Sequence, residues 1–289
     1  MTPDIRERTK VVPTRRRTGG RRDKVALRSA PPANPCPPGQ IGGQYRPLSQ
    51  ADIDAIYQTA LRLLSELGLG EVPDRLANDL TTAGAEMGAD GRVRFPSSLV
   101  EDAIAGAAKQ FTLHGRDPDR SIEVGGDAVH FGTGGAAVQT LDLDTGLYRP
   151  STLRDLHDFT RLQDTLTNVS WFTRCCVATD VPDVFALDVN TAYALIKNTT
   201  KPVATSFTLA EHVSPIVQML DIAAGGEGQF SKRPFLKTHI SPIISPMRFG
   251  EDAVDVVYEC IAHNIPMSCI TAAQSGLWRG FWHNPWPKR

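Results

Sequence analysis

Residues 234–242 read Pro234-Phe235-Leu236-Lys237-Thr238-His239-Ile240-Ser241-Pro242. Period-two alternation sends Leu236 and Ile240 to one face of a strand and Lys237 and His239 to the other. Apolar residues toward a helical layer and polar residues inward is the pattern of a barrel strand. His239 then falls near the carboxyl end, where barrel active sites lie. The same unit recurs on both sides. A helix over 152–166 leads to a strand over 168–178, and a helix over 183–198 to a strand over 202–207. A helix over 209–224 leads to strand 234–240, and a helix over 248–264 to a strand over 266–272. Single helices between strands imply parallel pairing through right-handed crossovers. The fold class expected is α/β of the (β/α)8 TIM-barrel type. Four units occupy about 125 residues, whereas a closed barrel takes roughly 250. Residues 151–276 therefore read as about half a barrel, incomplete as it stands, or as an open doubly wound sheet. A half-barrel leaves two strand edges and an apolar interior uncovered.

Ahead of this region, residues 111–150 form a β-hairpin region. Phe111-Thr-Leu-His114, Ile122-Glu-Val124 and Val129-His-Phe131 alternate like strands, and Asp144-Thr-Gly146 marks a tight turn. Residues 48–110 form an N-terminal helical layer. Ser49-Gln-Ala-Asp52 has capping-box spacing, and Ile53, Ile56, Ala60, Leu63, Leu64 and Leu67 trace one helical face up to Gly68. A second helix covers about 74–84, and a third is expected to begin at a capping box, Ser98-Leu-Val-Glu101. Residues 1–47 are a basic, Pro-rich arm. Arg15, Arg16, Arg17, Arg21 and Arg22 flank Gly19-Gly20, and five prolines between Pro31 and Pro38 deny it backbone donors.

The 289 residues carry 31 Lys and Arg against 32 Asp and Glu, a formal net charge of −1. That balance argues against a surface coating nucleic acid or membrane. Residues 1–28 hold ten basic and three acidic residues, +7, which leaves −8 for the rest. The basic arm is read as a solvated segment wrapping its own domain rather than as a clamp for RNA. The five cysteines, Cys36, Cys175, Cys176, Cys260 and Cys269, form no CxxC pair, and reduced thiols in a cytoplasmic protein are expected. No apolar run reaches the ~18 residues of a membrane span. The seven histidines show no HExxH spacing, and neither a G-x-S-x-G elbow nor a P-loop occurs. Gly132-Thr-Gly134-Gly135-Ala-Ala137 fits G-x-G-x-x-A formally, but the strand-like Val138-Gln-Thr-Leu-Asp-Leu143 follows it where a dinucleotide site needs a helix. Its glycines are read instead as letting the backbone approach a ligand or a neighbouring strand closely.

The candidate site residues follow from strand ends. His239 is the candidate catalytic residue, and Phe207, Thr173 and Gln274 are the candidate substrate-binding residues. Glu227, in the Gly225-Gly-Glu-Gly228 loop, falls at the opposite end of the strands and reads as a solvated turn.

Several segments resemble, in order, the trimethylamine:corrinoid methyltransferase family. They are Arg46-Pro-Leu-Ser-Gln-Ala-Asp-Ile53, Ala60-Leu-Arg-Leu-Leu64, Val93-Arg-Phe-Pro96 and Phe111-Thr-Leu-His-Gly-Arg116. Phe131-Gly-Thr-Gly-Gly135, Leu141-Asp-Leu-Asp-Thr-Gly146, Asn198-Thr-Thr-Lys-Pro202 and Ser241-Pro-Ile-Ile-Ser-Pro246 continue the series, which runs from about residue 14 to Gly276. The resemblance implies a (β/α)8 barrel that moves a methyl group from a methylamine or betaine-type quaternary amine to cobalt. It implies no cofactor bound directly, the cobalamin (corrinoid) being carried by a partner corrinoid protein. It also implies a role in one-carbon metabolism of the methanogenic kind. On that basis His239 polarises or orients the substrate and Phe207 offers a ring face to the ammonium. The sequence departs from the family at residues 277–289. There Leu277-Trp-Arg-Gly-Phe-Trp-His-Asn-Pro-Trp-Pro-Lys-Arg289 shows no helical or strand period, and it is read as an out-of-frame tail on a truncated chain. The alternative to an enzyme is a non-catalytic half-barrel fragment or pseudogene product, stabilised by homo-oligomerisation.

Overall fold

A computed structural model describes residues 37–270, together with Gly20 and Asn34. The chain divides into two compact units, 1–36 and 37–289, and only Gly20 and Asn34 of the first are described. The arginines at 15–17 and 21–22, Cys36, Gln274 and the segment 277–289 lie outside the described residues.

The second unit begins with β1 (Gln40–Ile41), so a short strand occurs within the stretch read as an arm. Helix α1 (Gln50–Arg62) follows and runs into a π turn over Leu63–Leu67, before α2 (Asp74–Thr82), β2 (Glu86–Met87), β3 (Val93–Arg94) and α3 (Ser97–Gly106). Next, β4 (Gln110–Leu113) pairs antiparallel with β5 (Ile122–Gly125), and β6 (Ala128–Val129) pairs back to β1. β7 (Gln139–Leu141) and β8 (Tyr148–Pro150) close a second antiparallel pair. From there helices and strands alternate. The order is α4 (Leu153–Thr165), β9 (Phe172–Thr173), α5 (Val184–Asn198), β10 (Val203–Thr205), α6 (Val213–Ala224), α7 (Gln229–Lys232) and β11 (Leu236–Ile240). A small hairpin of β12 (Ile243–Ile244) and β13 (Arg248–Phe249), then α8 (Glu251–Ala262) and β14 (Met267–Cys269), complete it.

The four central strands pair in the order β14-β11-β10-β9, every pair parallel. The architecture is therefore mixed α/β, with an open four-stranded parallel sheet among the described residues. One face of that sheet carries Phe172, Val203 and Leu236 into a core that they share with Leu195, Ile216 and Phe230. A smaller core of Leu69, Ala85, Val93, Phe249 and Val254 joins the N-terminal layer to β13 and α8. Arg92 reinforces that junction by donating to the carbonyls of Leu67, Gly68 and Met247.

Local chemistry explains the element boundaries. The capping box at Ser49 forms: Asp52 N–H donates to Ser49 Oγ at 3.2 Å, and Ser49 N–H to Asp52 Oδ2 at 3.1 Å. A second box starts α4, where Thr152 N–H donates to Asp155 Oδ2 at 2.8 Å. Arg149 grips both Asp155 oxygens, at 2.7 and 2.8 Å, and Asp142 at 3.1 Å, which ties the β7–β8 hairpin to the helix start. This grip holds the Asp155 carboxyl far below the usual carboxylate range.

Three expectations need correction. Helix α3 starts at Ser97 behind Pro96 with no side-chain cap, so Ser98 lies inside the helix rather than capping it. Helix α8 starts at Glu251, because Arg248–Phe249 pairs with Ile243–Ile244. The strand expected over 168–178 forms a regular ladder only at Phe172–Thr173. On its far side Thr133 Oγ1 accepts from Thr173 N–H and donates to Thr173 C=O, both at 2.9 Å, in place of a backbone partner. Isolated bridges of Gly132 to Trp171 and of Ala137 to Cys176 continue the association.

The loop after β10 hangs on one buried carboxylate. Asp188, 1% exposed on α5, accepts from Thr208 N–H at 2.6 Å, Thr208 Oγ1 at 2.9 Å and the His212 imidazole Nδ1 at 2.7 Å. Removing it strands buried donors, which costs about 1–3 kcal/mol per group. Asp188→Ala is expected to destabilise the fold by about 2–4 kcal/mol in urea denaturation. A loss below about 0.5 kcal/mol, the usual range for a surface substitution, would show the network to be dispensable.

Candidate active site

Along β11, Leu236, Thr238 and Ile240 are buried, whereas Lys237 and His239 are half-buried on the face turned away from the helices. Parallel register sets Thr173, Ala204 and Lys237 side by side on that face, and His239 beside Ser268. Ala204 projects only a methyl group, so side chains from β9 and β11 meet over it. His239 Nε2 lies 3.0 Å from Thr173 Oγ1. Lys237 Nζ donates to Ser268 Oγ at 2.8 Å and stands 4.4 Å from the centre of the Trp171 ring. Trp171 and His239 are themselves neighbours, with ring centres 6.2 Å apart.

Thr133 seats Thr173 through the two hydrogen bonds already described. Gly132 passes directly over Trp171, where a Cβ would come to 2.0 Å from an indole ring atom. Gly132 thus serves a close approach between backbone and side chain, whereas Gly134 faces open space.

At the carboxyl ends of the strands a cavity of about 370 Å³ is lined by Ser206, Phe207, Thr208, His239, Ser241 and Asp252, among others. Phe207 is one wall, but it is 6% exposed and belongs to the helix-packed core. A larger cavity, about 570 Å³, lies at the opposite strand ends beside Ser170 and Lys201. The carboxyl end is the better candidate, because parallel α/β folds place ligands there.

Of the sequence-derived residues, the structure brings His239 and Thr173 into contact and places Phe207 on the same cavity as His239. Gln274 lies outside the described residues. Sequence reasoning passed over Trp171, Ala204 and Ser268. Trp171 stands two residues before Thr173, so strand alternation alone puts both on one face.

Burial, and then the charges of Lys237 and Arg174, lower the pKa of His239, so its imidazole is neutral near pH 7. Its Nδ1 is shielded and has no hydrogen-bond partner. Burial alone lowers the pKa of Lys237. Among the described residues there is no group of three or more His, Cys, Asp or Glu able to hold a metal ion.

Residues 17–278 match the family model described as trimethylamine methyltransferase (MTTB). The chain belongs to the trimethylamine methyltransferase family. Among its relatives in this family is the trimethylamine methyltransferase MttB of Desulfitobacterium hafniense (strain DSM 10664 / DCB-2). The two are 29% identical over 79% of this chain and 46% of the relative. The glycine betaine methyltransferase of D. hafniense (strain Y51) is 26% identical, over 74% of this chain and 44% of the relative. A solved hydroxylamine complex of MtmB aligns with a TM-score of 0.47 and 12% identity, over 78% of this chain and 46% of the other. The chain spans about half the length of the curated relatives it matches.

The charge arrangement in this family member has a measurable sign. A lowered folded-state pKa contributes stability that is complete above the ordinary histidine value, 6.5, and is lost as pH falls through the folded value. In an NMR pH titration the His239 ring is expected to titrate below that ordinary value. Lys237→Met is expected to move it back up, because a neighbouring positive charge disfavours imidazolium. An unchanged midpoint in the variant would show that burial alone sets it.

Proposed function

We propose that this chain forms the donor side of a (β/α)8 methyltransferase, which moves a methyl group from a methylamine or betaine-type amine to the cobalt of a corrinoid carried by a separate protein. The observation that carries this reading is the His239–Thr173 pair beside a small cavity at the carboxyl ends of parallel strands. Family membership supplies the chemistry to test.

The cavity is on the scale of the donor rather than of a corrinoid. Its volume of about 370 Å³ lies at the low end of the ~300–1,000 Å³ typical of small-molecule pockets. An amine with a few heavy atoms fits such a space, and in this reading the larger corrin macrocycle stays on its own carrier. A reduced corrinoid delivered there would supply the nucleophile that accepts the methyl carbon, the C–N bond breaking and its electron pair leaving on the neutral amine.

The tasks left to the chain are binding and aim. The neutral His239 imidazole adds no charge to repel a cationic nitrogen, and Thr173 holds the ring in one orientation. Phe207 contributes an aromatic wall, and Gln274 remains a candidate substrate-binding residue. The described cysteines are all free thiols, in keeping with a reducing cytoplasm.

The test mixes the purified chain with chemically reduced cobalamin and either trimethylamine or glycine betaine, and follows methylation of cobalt by absorbance. Transfer is expected, with His239→Ala lowering kcat/KM on the order of 10²-fold, the scale of a misaligned reactant. An unaffected His239→Ala rate would remove that residue from the site. A folded wild-type chain that transfers nothing would favour the non-catalytic alternative.

A further inference from the structure

Helix α8 supplies one wall of the cavity at the carboxyl ends of the strands, through Asp252, Ala253 and Val256. Spacings of three and four residues set these on one helix face, so the first turn of α8 presents Asp252 to the cavity. Glu251, one residue earlier, borders a different cavity beside Glu71 and Phe249. Among the described residues that line the carboxyl-end cavity, Asp252 brings the one carboxylate and His239 the one imidazole. The other side chains are hydroxyls and hydrocarbon, with Phe207 the single aromatic ring. Most buried or half-buried aspartates here are engaged by the protein. Arg149 holds Asp155, Thr208 and His212 hold Asp188, and the Gly228 and Phe230 amides hold Asp221. Asp252 has no such side-chain partner among the described residues. An acid in the first turn favours the helix dipole, but Glu251 serves that as well, and the dipole is indifferent to what fills the cavity. From the strand side, Lys237 and Arg174 press positive charge on His239. A cation entering the cavity is opposed from that side unless another wall carries negative charge, and α8 puts Asp252 there.

We propose that Asp252 is the counter-charge for the donor's cationic nitrogen and the residue by which this cavity prefers a charged amine to a neutral molecule of the same shape. This rests on the methyl-transfer reading above and assigns that site a specificity-determining residue. Asp252 acts in binding and moves neither methyl group nor proton. As the methyl group departs, the nitrogen passes from cation to neutral amine, so its attraction to the carboxylate is greatest before transfer begins. Asp252 therefore favours the bound donor over the transition state, and its contribution lies in KM rather than in kcat.

Calorimetric titration of the full chain with choline and with 3,3-dimethylbutan-1-ol tests this. The two ligands share one shape and differ only in a charged nitrogen or a neutral carbon, so their affinity ratio reads the charge alone. Choline is expected to bind at least about tenfold more tightly than the neutral alcohol. Asp252→Asn, which keeps the shape and removes the charge, is expected to bring the two within about threefold by weakening choline alone. Asp252→Glu is expected to restore the preference, and circular dichroism checks that each variant is folded. Equal binding of the two ligands by the unaltered chain, no binding of either, an unchanged ratio in Asp252→Asn, or equal weakening of both ligands would each overturn the assignment. In the cobalamin assay Asp252→Asn is expected to lower kcat/KM through a raised KM, whereas a fall in kcat at constant KM would refute the binding role. The two readings fail separately. Asp252-dependent preference for choline without methyl transfer refutes only the reaction, and transfer with the same KM in Asp252→Asn refutes only the assignment of Asp252.

Discussion

The site depends on how little of Ala204 projects from the middle of the sheet. Two strands apart, backbones in a sheet are separated by roughly 9–10 Å. An imidazole and a threonine hydroxyl close that gap only when the strand between them carries no bulk. Ala204, level with Thr173 on one side and Lys237 on the other, leaves that gap open. The same opening lets the Lys237 ammonium lean across to Trp171. On the opposite face at nearly the same level, Phe172, Val203 and Leu236 fill their space against the helices. One face of the sheet therefore supplies cohesion, and the other is left to polar chemistry.

Cohesion also reaches the loops that border the cavity. Ser206, Phe207 and Thr208 follow β10 and would be free to wander if only backbone geometry held them. Asp188 prevents this from a neighbouring helix by holding the Thr208 amide, the Thr208 hydroxyl and the His212 ring together. A buried carboxylate with three donors is a demanding arrangement, tolerated because each donor is satisfied in turn. Phe207 is anchored between this node and the core, which explains how one side chain both packs and lines the cavity.

Much of this was legible in the sequence, for reasons that differ by feature. The alternation in 236–240 is a property of the strand itself, so the separation of Leu236 and Ile240 from Lys237 and His239 needed no knowledge of neighbours. The Ser49 cap is likewise local, since donor and acceptor lie three residues apart. What escaped depends on partners distant in the chain. Thr133 interrupts the ladder of Thr173 from 40 residues away, and no propensity scale registers such a substitution of side chain for backbone. The β12–β13 hairpin is too short for a periodic signal and displaces the expected helix start. The Lys237–Trp171 and His239–Thr173 contacts require strand order and register, which alternation alone leaves open.

Thr133 has one more consequence, for how the sheet can associate. An exposed strand edge recruits other strands because its peptide groups lack partners. At β9 the Thr173 amide and carbonyl on that side are already occupied by a hydroxyl, and the glycine-rich segment lies against the rest. At Thr173 that edge presents no free peptide group, and among the described residues the edge without such cover is β14, so the two edges of the sheet differ.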